Sequence, residues 1–233
     1  MPRTRAGPRR PVAVAVIAAC DEVATIADTV RAVTGVVGVG GVTVVDDGSG
    51  DGTADAASAA GARVIRTVRR LGKGGALEGV LDRIPAADIY LLVDGDIGAS
   101  AAGVQPLLDA VSTGGADLAL GMLPTPVGGG FGLVKRATAR AVRRLSGFAP
   151  QAPLSGQRAI THACLWACRP LAGGFGVETA MLADAARMGF SISEVPVRLE
   201  HAGTGRSMAG FRHRAGQGLD IAAAVAPRLL GVR

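Results

Sequence analysis

The sequence predicts an α/β protein with a single, mostly parallel sheet that is covered by helices on both faces. Short apolar runs such as Val12–Ala19 and Ile89–Val93 alternate with Ala-rich stretches of helical spacing, in the order β-α-β-α-β-α-β. These runs are continuously apolar rather than alternating with polar residues, which is typical of strands buried on both sides. Ligands of such sheets bind beyond the carboxyl ends of the strands.

The first half of the chain contains four predicted strands and three predicted helices. The strands are Val12–Ala19, Gly41–Val45, Ala62–Thr67 and Ile89–Val93. The helices run from Glu22 to about Val33, from Thr53 to Ala60, and from the end of a Gly-rich loop at 71–75 to about Ile84. Gly61 comes directly after the second helix and is the residue type that most often ends one.

The second half is less regular, because three loops interrupt it: a Gly/Pro loop at 124–132, a loop broken by Pro150 and Pro153 at 148–155, and a loop rich in Gly and polar residues at 201–210. Its predicted helices are Gly103–Ser112, Leu133 to Leu145, Val177 to Met188 and Phe211–Leu230, and its predicted strands are Ala116–Met122 and Ser191–Leu199. Residues 1–10 are basic and Pro-containing, so we expect a disordered tail. Residues 11–205 are predicted to form one domain, with a C-terminal loop and helix at 206–233 packed on it.

The composition favours a soluble domain and argues against two other classes of protein. Apolar residues make up 48% of the 233 residues, which suits one full hydrophobic core. Aromatic residues are only 3%, which leaves few stacking platforms for nucleic acid, so none is expected as a partner despite the formal charge of +6. No run reaches the roughly 18–20 apolar residues of a membrane span, so we expect at most peripheral membrane contact.

The cysteines point to a reducing, cytoplasmic location rather than to disulfides or zinc. Cys20, Cys164 and Cys168 are too few for a disulfide framework. His162 is close in sequence to the last two and suggests zinc, but a fourth ligand is missing nearby and the surroundings are apolar. We therefore do not expect a metal site at these residues.

Polar clusters lie at the ends of all four predicted strands of the first half. They are Cys20-Asp21-Glu22, Asp46-Asp47, the glycine-flanked Lys73 and Asp94-Gly95-Asp96. Because the carboxyl ends of parallel strands meet at one edge of a sheet, these clusters are expected to converge there. This convergence is the main functional inference from the residues themselves.

The Asp94-Gly95-Asp96 turn is the strongest candidate for a metal site. Its two carboxylates can bind a hard divalent cation such as Mg²⁺ or Mn²⁺ while leaving positions open for diphosphate oxygens. Such a cation would neutralise a leaving nucleoside diphosphate. The alternative is an ordinary Asp-Gly turn, and the position after a buried strand favours the metal site.

Two further clusters are candidates for binding a nucleotide. A carboxylate of Asp46 or Asp47 can accept from ribose hydroxyls or a base N–H, although a turn with a helix cap is the alternative. Asp51 and Thr53, a few residues further along, are interpreted as structural. Lys73 and the backbone N–H groups around it can hold a phosphate, the alternative being a solvent-exposed loop lysine.

The second half supplies three more candidates. Glu178 opens a helix after a Gly-rich segment, which suits a general base or a group that orients the acceptor, unless it only complements the helix dipole. His201 lies just after a strand and can complete a metal site, with Arg206 on phosphate. A loop histidine without such a role is the alternative.

A dehydrogenase is disfavoured by the first turn of the sheet. Dinucleotide binding needs a G-x-G-x-x-G turn there, whereas residues 18–22 read Ala-Ala-Cys-Asp-Glu and are acidic, which repels a pyrophosphate. A sugar nucleotidyltransferase would share the fold and the metal, but the chain lacks a G-x-G-T-R-type opening loop. A non-catalytic module that binds nucleotide sugars stays open.

Four segments of the first half together resemble glycosyltransferase family 2, whose members have the GT-A fold. They are VIAACDE at 16–22, VVDDGSGDGT at 44–53, LGKGGAL at 71–77 and LLVDGD at 91–96. The last resembles the family's DxD metal motif. In the first, Ala18, Cys20 and Asp21 replace the usual Pro, aromatic residue and Asn.

The second half resembles particular branches of that family. The segments FGVETAML at 175–182 and ISEVPVRLEH at 192–201 are similar to those of polyprenyl-phosphate sugar synthases. The segment PLSGQRA at 153–159, with His201, is similar to that of glucosyl- and mannosyl-3-phosphoglycerate synthases. The resemblance implies that Ser155-Gly156-Gln157-Arg158 faces the sugar or the acceptor.

The resemblance implies a metal-dependent transfer of sugar from a UDP- or GDP-sugar to a small-molecule or lipid-phosphate acceptor. Inversion is expected, with Glu178 as base unless the acceptor is a phosphate that needs none; a retaining phosphoglycerate-synthase-like enzyme is the alternative, and a homodimer stays an option. Asp96 and His201 are the predicted metal ligands. The donor is predicted to contact Ala19, Asp21, Glu22, Asp46, Asp47, Lys73, Asp94, Gly95 and Arg206.

Overall fold

A seven-stranded sheet forms the centre of the protein, in the spatial order β3-β2-β1-β4-β6-β5-β7. The computed structural model describes residues 12–123 and 131–199 together with residues 223 and 228, and for 131–134 it describes the backbone alone. Strand β6 is antiparallel to its neighbours β4 and β5, and the other pairs are parallel. The predicted α/β class with a mostly parallel sheet is confirmed.

The elements alternate as the apolar pattern predicts through the first half. The strands are β1 Ala13–Ala19, β2 Val39–Asp46, β3 Arg63–Arg66, β4 Ile89–Asp94, β5 Leu118–Met122, β6 Arg158–Thr161 and β7 Ile192–Pro196. The helices are α1 Ile26–Thr34, α2 Thr53–Ala59, α3 Gly72–Glu78, α4 Gln105–Ser112, α5 Phe131–Ser146, α6 His162–Ala167 and α7 Val177–Arg187. Three 3₁₀ segments, Leu81–Arg83, Gly95–Val104 and Gly174–Gly176, connect them.

Helices cover both faces of the sheet, so the central strands are buried on both sides. Along β1, Ala15 and Ile17 join an apolar cluster with α1, α2 and α4. The intervening Val14 and Val16 join a second cluster, which contains side chains of α3, α5, α6 and α7. Burial on both sides explains why β1 and β4 are continuously apolar.

The second half departs from the sequence prediction at β6 and α6, which the pattern does not reveal. The strand β6 has only four residues, and it begins with a buried arginine, Arg158. A short segment that opens with a charged residue lacks the apolar run that predicts the other strands. Its insertion between β4 and β5 nevertheless carries residues 155–158 to the end of β4.

Helix boundaries shift where local hydrogen bonds compete with the apolar period. Helix α1 begins at Ile26 rather than Glu22, because residues 22–25 form a turn in which the carbonyl of Glu22 accepts from the N–H groups of Thr25 and Ile26. Helix α3 begins at Gly72, inside the segment predicted as a loop. The segment from Gly95 to Val104 forms 3₁₀ turns that are interrupted at Gly98, whose φ of 53° and ψ of −144° are not helical.

Close backbone approach requires glycine where α3 meets the segment before α7. A Cβ at Gly74 would overlap the backbone carbonyl oxygen of Ala172 and crowd Val177. Gly72 lies against Gly174 and has a positive φ of 72°, which favours glycine for a second reason. The glycines of the predicted phosphate loop thus serve packing between α3 and the segment that leads to α7.

Several predicted features lie outside the described residues: the tail at 1–10, most of the loop at 124–132, and most of the C-terminal segment 206–233. Within that segment, Arg228 is helical, buried and paired with Asp184 of α7, its Nε lying 2.9 Å from Oδ1. No helix in the described part of the chain is both long and apolar enough to cross a membrane.

Gly74→Ala should destabilise the protein, because the added methyl has no room between α3 and Ala172. We expect a loss of about 3 kcal/mol in the free energy of unfolding, or roughly 10 °C in Tm. Gly41→Ala is the matched control, since nothing lies within 4 Å of a Cβ at that position. Thermal unfolding of the two variants checks this; equal Tm values would contradict the packing argument.

Candidate active site

Asp94, at the end of β4, is held by the loop that precedes β6. The side-chain amide of Gln157 donates to Asp94 Oδ2 at 2.8 Å, and its carbonyl oxygen accepts from the Asp94 N–H at 3.0 Å. Gly156 packs against the same carboxylate so closely that a Cβ there would overlap it. Two residues predicted to face the sugar or acceptor therefore fix the orientation of Asp94.

Lys73 joins Asp94 to Glu178. Its Nζ lies 2.5 Å from Asp94 Oδ1 and 2.6 Å from Glu178 Oε1, and its side chain is 14% exposed. Burial disfavours the charged ammonium, but the charges of Asp94 and Glu178 outweigh that effect and raise the pKa of Lys73. Lys73 is therefore a permanent cation between two carboxylates and not a solvent-exposed loop lysine.

The local sequence explains how these charges reach each other. Lys73 is the second residue of α3 and comes directly after the positive-φ Gly72, so it lies at the very start of the helix. Glu178 lies in the first turn of α7, where a carboxylate also complements the helix dipole, and the residue is 8% exposed. The ion pair therefore links the starts of two helices on the same face of the sheet.

Gly95 is locked between β1 and α1. A Cβ at Gly95 would come within 3.0 Å of the Ala19 Cβ, so the turn lies directly on the end of β1. The carbonyl of Gly95 accepts from the hydroxyls of Thr25 and Thr29, at 3.0 and 2.9 Å. These contacts fix the backbone from which Asp96 projects.

Glu22, Asp94 and Asp96 place negative charge together at this edge. Partial burial, then the charge of Asp96, with a smaller contribution from Asp94, raise the pKa of Glu22 to about 7. No group of three or more His, Cys, Asp or Glu side chains within the described ranges is arranged to hold a metal ion alone. The donors present suit a hard cation such as Mg²⁺, which is commonly bound by one or two carboxylates together with substrate phosphates.

Asp46 and Asp47 face inward and build the loops of this edge. Asp46 is fully buried, accepts from the N–H and hydroxyl of Ser49 and lies 3.1 Å from the Arg66 Nε. Asp47 accepts from the N–H groups of Leu71 and Gly72, both at 2.8 Å, and so caps the start of α3. Both carboxylates therefore make the contacts of a turn and a helix cap, which is the alternative to nucleotide binding given by the sequence.

Asp21 occupies a strained turn beside them. It has a φ of 57°, its N–H donates to Ser49 Oγ at 2.9 Å, and its carboxylate accepts from Gly50 N–H and from Arg70. Asn, the residue usual at this position in the family it resembles, tolerates positive φ for the same local hydrogen-bonding reason. Asp21 thus joins the loop after β1 to the loop after β2, and so fixes the position of the adjacent Glu22.

Arg158 is buried instead of facing a ligand. Its side chain lies inside the core at 1% exposure, where its Nε donates to the Ser155 carbonyl at 2.8 Å and its Nη1 to the Glu178 carbonyl at 2.7 Å. Burial lowers the pKa of Arg158 to about 10, although the nearby charge of Glu178 acts in the opposite direction and raises it. Its contacts tie the Ser155 loop to the start of α7.

The structure therefore brings together most, but not all, of the predicted site residues. The residues that meet at this edge are Ala19, Asp21, Glu22, Lys73, Asp94, Gly95, Asp96, Ser155, Gly156, Gln157, Arg158 and Glu178. His201 and Arg206 lie outside the described residues, so their roles stay predictions. Sequence reasoning missed Thr25, Thr29 and Arg70, which carry no motif that distinguishes them from surface polar residues.

The sequence model of the family described as "Glycosyl transferase family 2" matches residues 14–170, which is well over half of the chain. The chain belongs to this family. The match spans all four polar clusters at the strand ends, from the first turn to Asp96 and on through β6. Membership agrees with the seven-stranded sheet and with the position of the acidic turn at its edge.

Relatives of known sequence and structure agree with the family assignment. A glycosyltransferase of Haloferax volcanii, AglJ, is 34% identical over 169 residues, which are 68% of this chain and 54% of AglJ. The chain thus spans about half the length of that curated relative. A solved structure described only as a mycobacterial protein is 31% identical and superposes with a TM-score of 0.79. The match covers 94% of this chain and 74% of the mycobacterial chain.

Glucosyl-3-phosphoglycerate synthase of Mycobacterium tuberculosis is a further structural relative. Its complex with Mg²⁺ and UDP superposes with a TM-score of 0.80 and 27% identity, over 94% of this chain and 79% of that one. The same enzyme was crystallised with Mn²⁺, UDP-glucose and phosphoglyceric acid, and that structure superposes with a TM-score of 0.77.

Glu22→Gln should stabilise the metal-free protein at pH 8 and change its stability little at pH 5. The pKa of Glu22 is about 7 in the fold and near 4.5 in the unfolded chain, so the fold prefers the protonated carboxyl. Stability is therefore lost as the pH rises from about 4.5 through 7, and a glutamine avoids this loss. The measurement is Tm in EDTA across that range.

The exposed Asp55 provides the control for this experiment, as Asp55→Asn. We expect its Tm to track the wild type at every pH. A difference between Glu22→Gln and the wild type that does not grow with pH would contradict the crowding of carboxylates around Glu22.

Proposed function

We propose that this family member transfers a sugar from a UDP-sugar to a phosphorylated acceptor and depends on Mg²⁺ or Mn²⁺. The observation that carries the proposal is the uneven charge at the sheet edge: Lys73 lies between Asp94 and Glu178, whereas partial burial and the charge of Asp96 raise the pKa of Glu22. A divalent cation bound with a diphosphate supplies the charge that this second pair favours.

Asp96 is the residue that we propose holds the metal, with Asp94 beside it and His201 as a further ligand predicted from the sequence. When bound, the cation supplies Lewis-acid neutralisation of the departing diphosphate. The fit rests on carboxylate donors, on the raised pKa of Glu22 beside them, and on the backbone lock at Gly95 that keeps the turn in place.

The chain's own residues orient the reacting groups. Gln157 and Lys73 hold Asp94 in one orientation, so the turn is preorganised before the donor arrives. The nucleoside is proposed to lie against Ala19, Asp21 and Glu22 at the end of β1, beside the loop that follows β2. Asp46 and Asp47 contribute by shaping those loops, since their carboxylates bond the loops themselves.

The ion pair of Glu178 with Lys73 affects whether Glu178 can act as the base of an inverting transfer. Its carboxylate already accepts from the Lys73 ammonium at 2.6 Å, so removing a proton from an acceptor would require that contact to change. When the attacking atom is a phosphate oxygen of the acceptor, it is already ionised and needs no base, so inversion by direct displacement can proceed while Glu178 stays paired; an attacking hydroxyl would have to give up its proton. The alternative is retention, which the likeness to glucosyl-3-phosphoglycerate synthase favours.

The choice of UDP and of a phosphorylated acceptor is supported by that same relative, whose crystals contain UDP-glucose and phosphoglyceric acid. Ser155 and Gly156 are proposed to line the sugar or acceptor side of the site, together with Arg206. Arg158 serves it from within the core by holding the Ser155 carbonyl. A GDP-sugar donor, a lipid-phosphate acceptor and a cytoplasmic homodimer stay predictions from the sequence.

Asp96→Ala should abolish transfer while leaving the fold intact, because Asp96 is half-buried at the edge and outside both apolar clusters. We expect a loss of roughly 100-fold or more in turnover and loss of the Mn²⁺-dependent rise in Tm with UDP. Turnover is measured as UDP release from UDP-sugars with phosphorylated acceptors, with and without EDTA. Asp55→Ala is the control, and full activity of Asp96→Ala would overturn the metal assignment.

Proton NMR of the product tests the stereochemistry. We expect the anomeric configuration to be inverted relative to the donor when the attacking group of the acceptor is a phosphate. A product that keeps the donor's configuration would instead establish the retaining alternative. Binding of UDP with Mn²⁺ but no turnover of any donor would favour a non-catalytic nucleotide-sugar-binding module.

A further inference from the structure

Helix α3 and the segment 169–178 run side by side and meet at three places along their length. At the first, Lys73 Nζ lies 2.6 Å from Glu178 Oε1, and Gly72 packs on Gly174. In the middle, Gly74 packs against Ala172 and Val177 without room for a side chain. The third place lies at the other end of α3, far from the sheet edge.

Glu78 makes that third contact with both of its carboxylate oxygens. Oε1 accepts from Arg169 Nε and Nη2, at 3.1 and 2.9 Å, and Oε2 accepts from the N–H of Leu171 at 2.9 Å. Arg169 also reaches Asp82, with Nη1 lying 2.8 Å from Oδ1. We call Glu78, Arg169 and Leu171 the α3 latch.

The α3 latch holds one end of a glycine-rich segment that leads to the active site. The segment between Leu171 and Glu178 contains three glycines, at 173, 174 and 176, and Gly174 has a positive φ of 56°. Such a segment has little conformational preference of its own, so its course depends on the contacts at its ends. One end is the Lys73–Glu178 pair, and the other is the α3 latch.

The two ends are mechanically related through the helix. Glu78 lies five residues after Lys73 in α3, or about 7.5 Å along the helix axis. Since α3 is a single hydrogen-bonded element, the bond from the Leu171 N–H to Glu78 sets where the glycine segment starts relative to the Lys73 ammonium. A displacement of that start is passed to Glu178 through packing that leaves no free space at Gly74.

We propose that Glu78 is a positioning residue for the Lys73–Glu178 pair, and through Lys73 for Asp94. The proposal rests on the proposed glycosyltransfer at this edge. Glu78 makes its described contacts with Arg169 and Leu171 and acts on the site through Leu171. Loss of its carboxylate should therefore lower the rate of transfer more than it weakens donor binding.

Asp82 provides a matched control for the test. Glu78→Ala and Asp82→Ala each remove one carboxylate partner of the same Arg169 guanidinium, at positions four residues apart. Only Glu78→Ala also frees the Leu171 N–H. Glu78→Gln is the conservative variant, because an amide oxygen can still accept from Leu171.

The first readout is steady-state kinetics of sugar transfer with thermal unfolding alongside. For Glu78→Ala we expect kcat to fall roughly tenfold or more, since small displacements of orienting groups are costly in rate, with KM for the donor within about threefold of wild type. Asp82→Ala should keep kcat within about twofold, and Glu78→Gln should recover much of the loss. Equal kcat values for Glu78→Ala and Asp82→Ala would overturn the proposal.

Amide hydrogen exchange of segment 172–178 is the second readout and needs no substrate. We expect faster exchange there in Glu78→Ala than in Asp82→Ala or the wild type, because local opening governs exchange. Unchanged exchange would reject the α3 latch even if no sugar donor is turned over. A wild-type protein without transfer activity, but with the expected exchange pattern, would instead reject the proposed function and keep the positioning of Glu178.

Discussion

The active-site edge depends on one shared cation, the ammonium of Lys73 between Asp94 and Glu178. Burying two carboxylates near each other is strongly unfavourable unless a positive charge lies between them, and removing one partner of such a group leaves an uncompensated charge. To reach both, Lys73 must lie at the very start of α3, with α7 beginning close by. The glycines at 72 and 74 make that approach possible, so the packing of two helices is tied to an electrostatic requirement.

A second group of charges at the same edge is dominated by repulsion. Partial burial and then the charge of Asp96 raise the pKa of Glu22, although the adjacent Asp94 is paired with Lys73. One cation of this edge, Lys73, is therefore built into the protein, and the proposed metal ion would supply further positive charge beside Glu22 and Asp96. This division explains how the edge can be stable as a fold and still suit the divalent cation and diphosphate that we propose bind there.

Much of this edge could be predicted from the sequence, because parallel strands bring their carboxyl ends together whatever the loops contain. Lys73, Asp94 and Glu178 all stand out in the sequence, and the topology accounts for their meeting. The roles of Asp46, Asp47 and Arg158 could not be predicted in the same way. Whether a carboxylate faces a ligand or caps a neighbouring helix depends on loop geometry, and β6 is too short and too polar at its start for its pattern to reveal Arg158 as a core residue.

The two aspartates of the acidic turn have different physical roles despite their separation by one residue. Asp94 is held by Lys73 and Gln157, so its charge is used to position groups of the protein. Asp96 lies next to Glu22 and beyond the Gly95 lock, where additional positive charge is stabilising. Since the backbone at Gly95 is fixed by Thr25 and Thr29, the turn cannot exchange the two carboxylates by a local rotation. The spacing of the acidic pair therefore separates an internal charge from the one that we propose holds the metal ion.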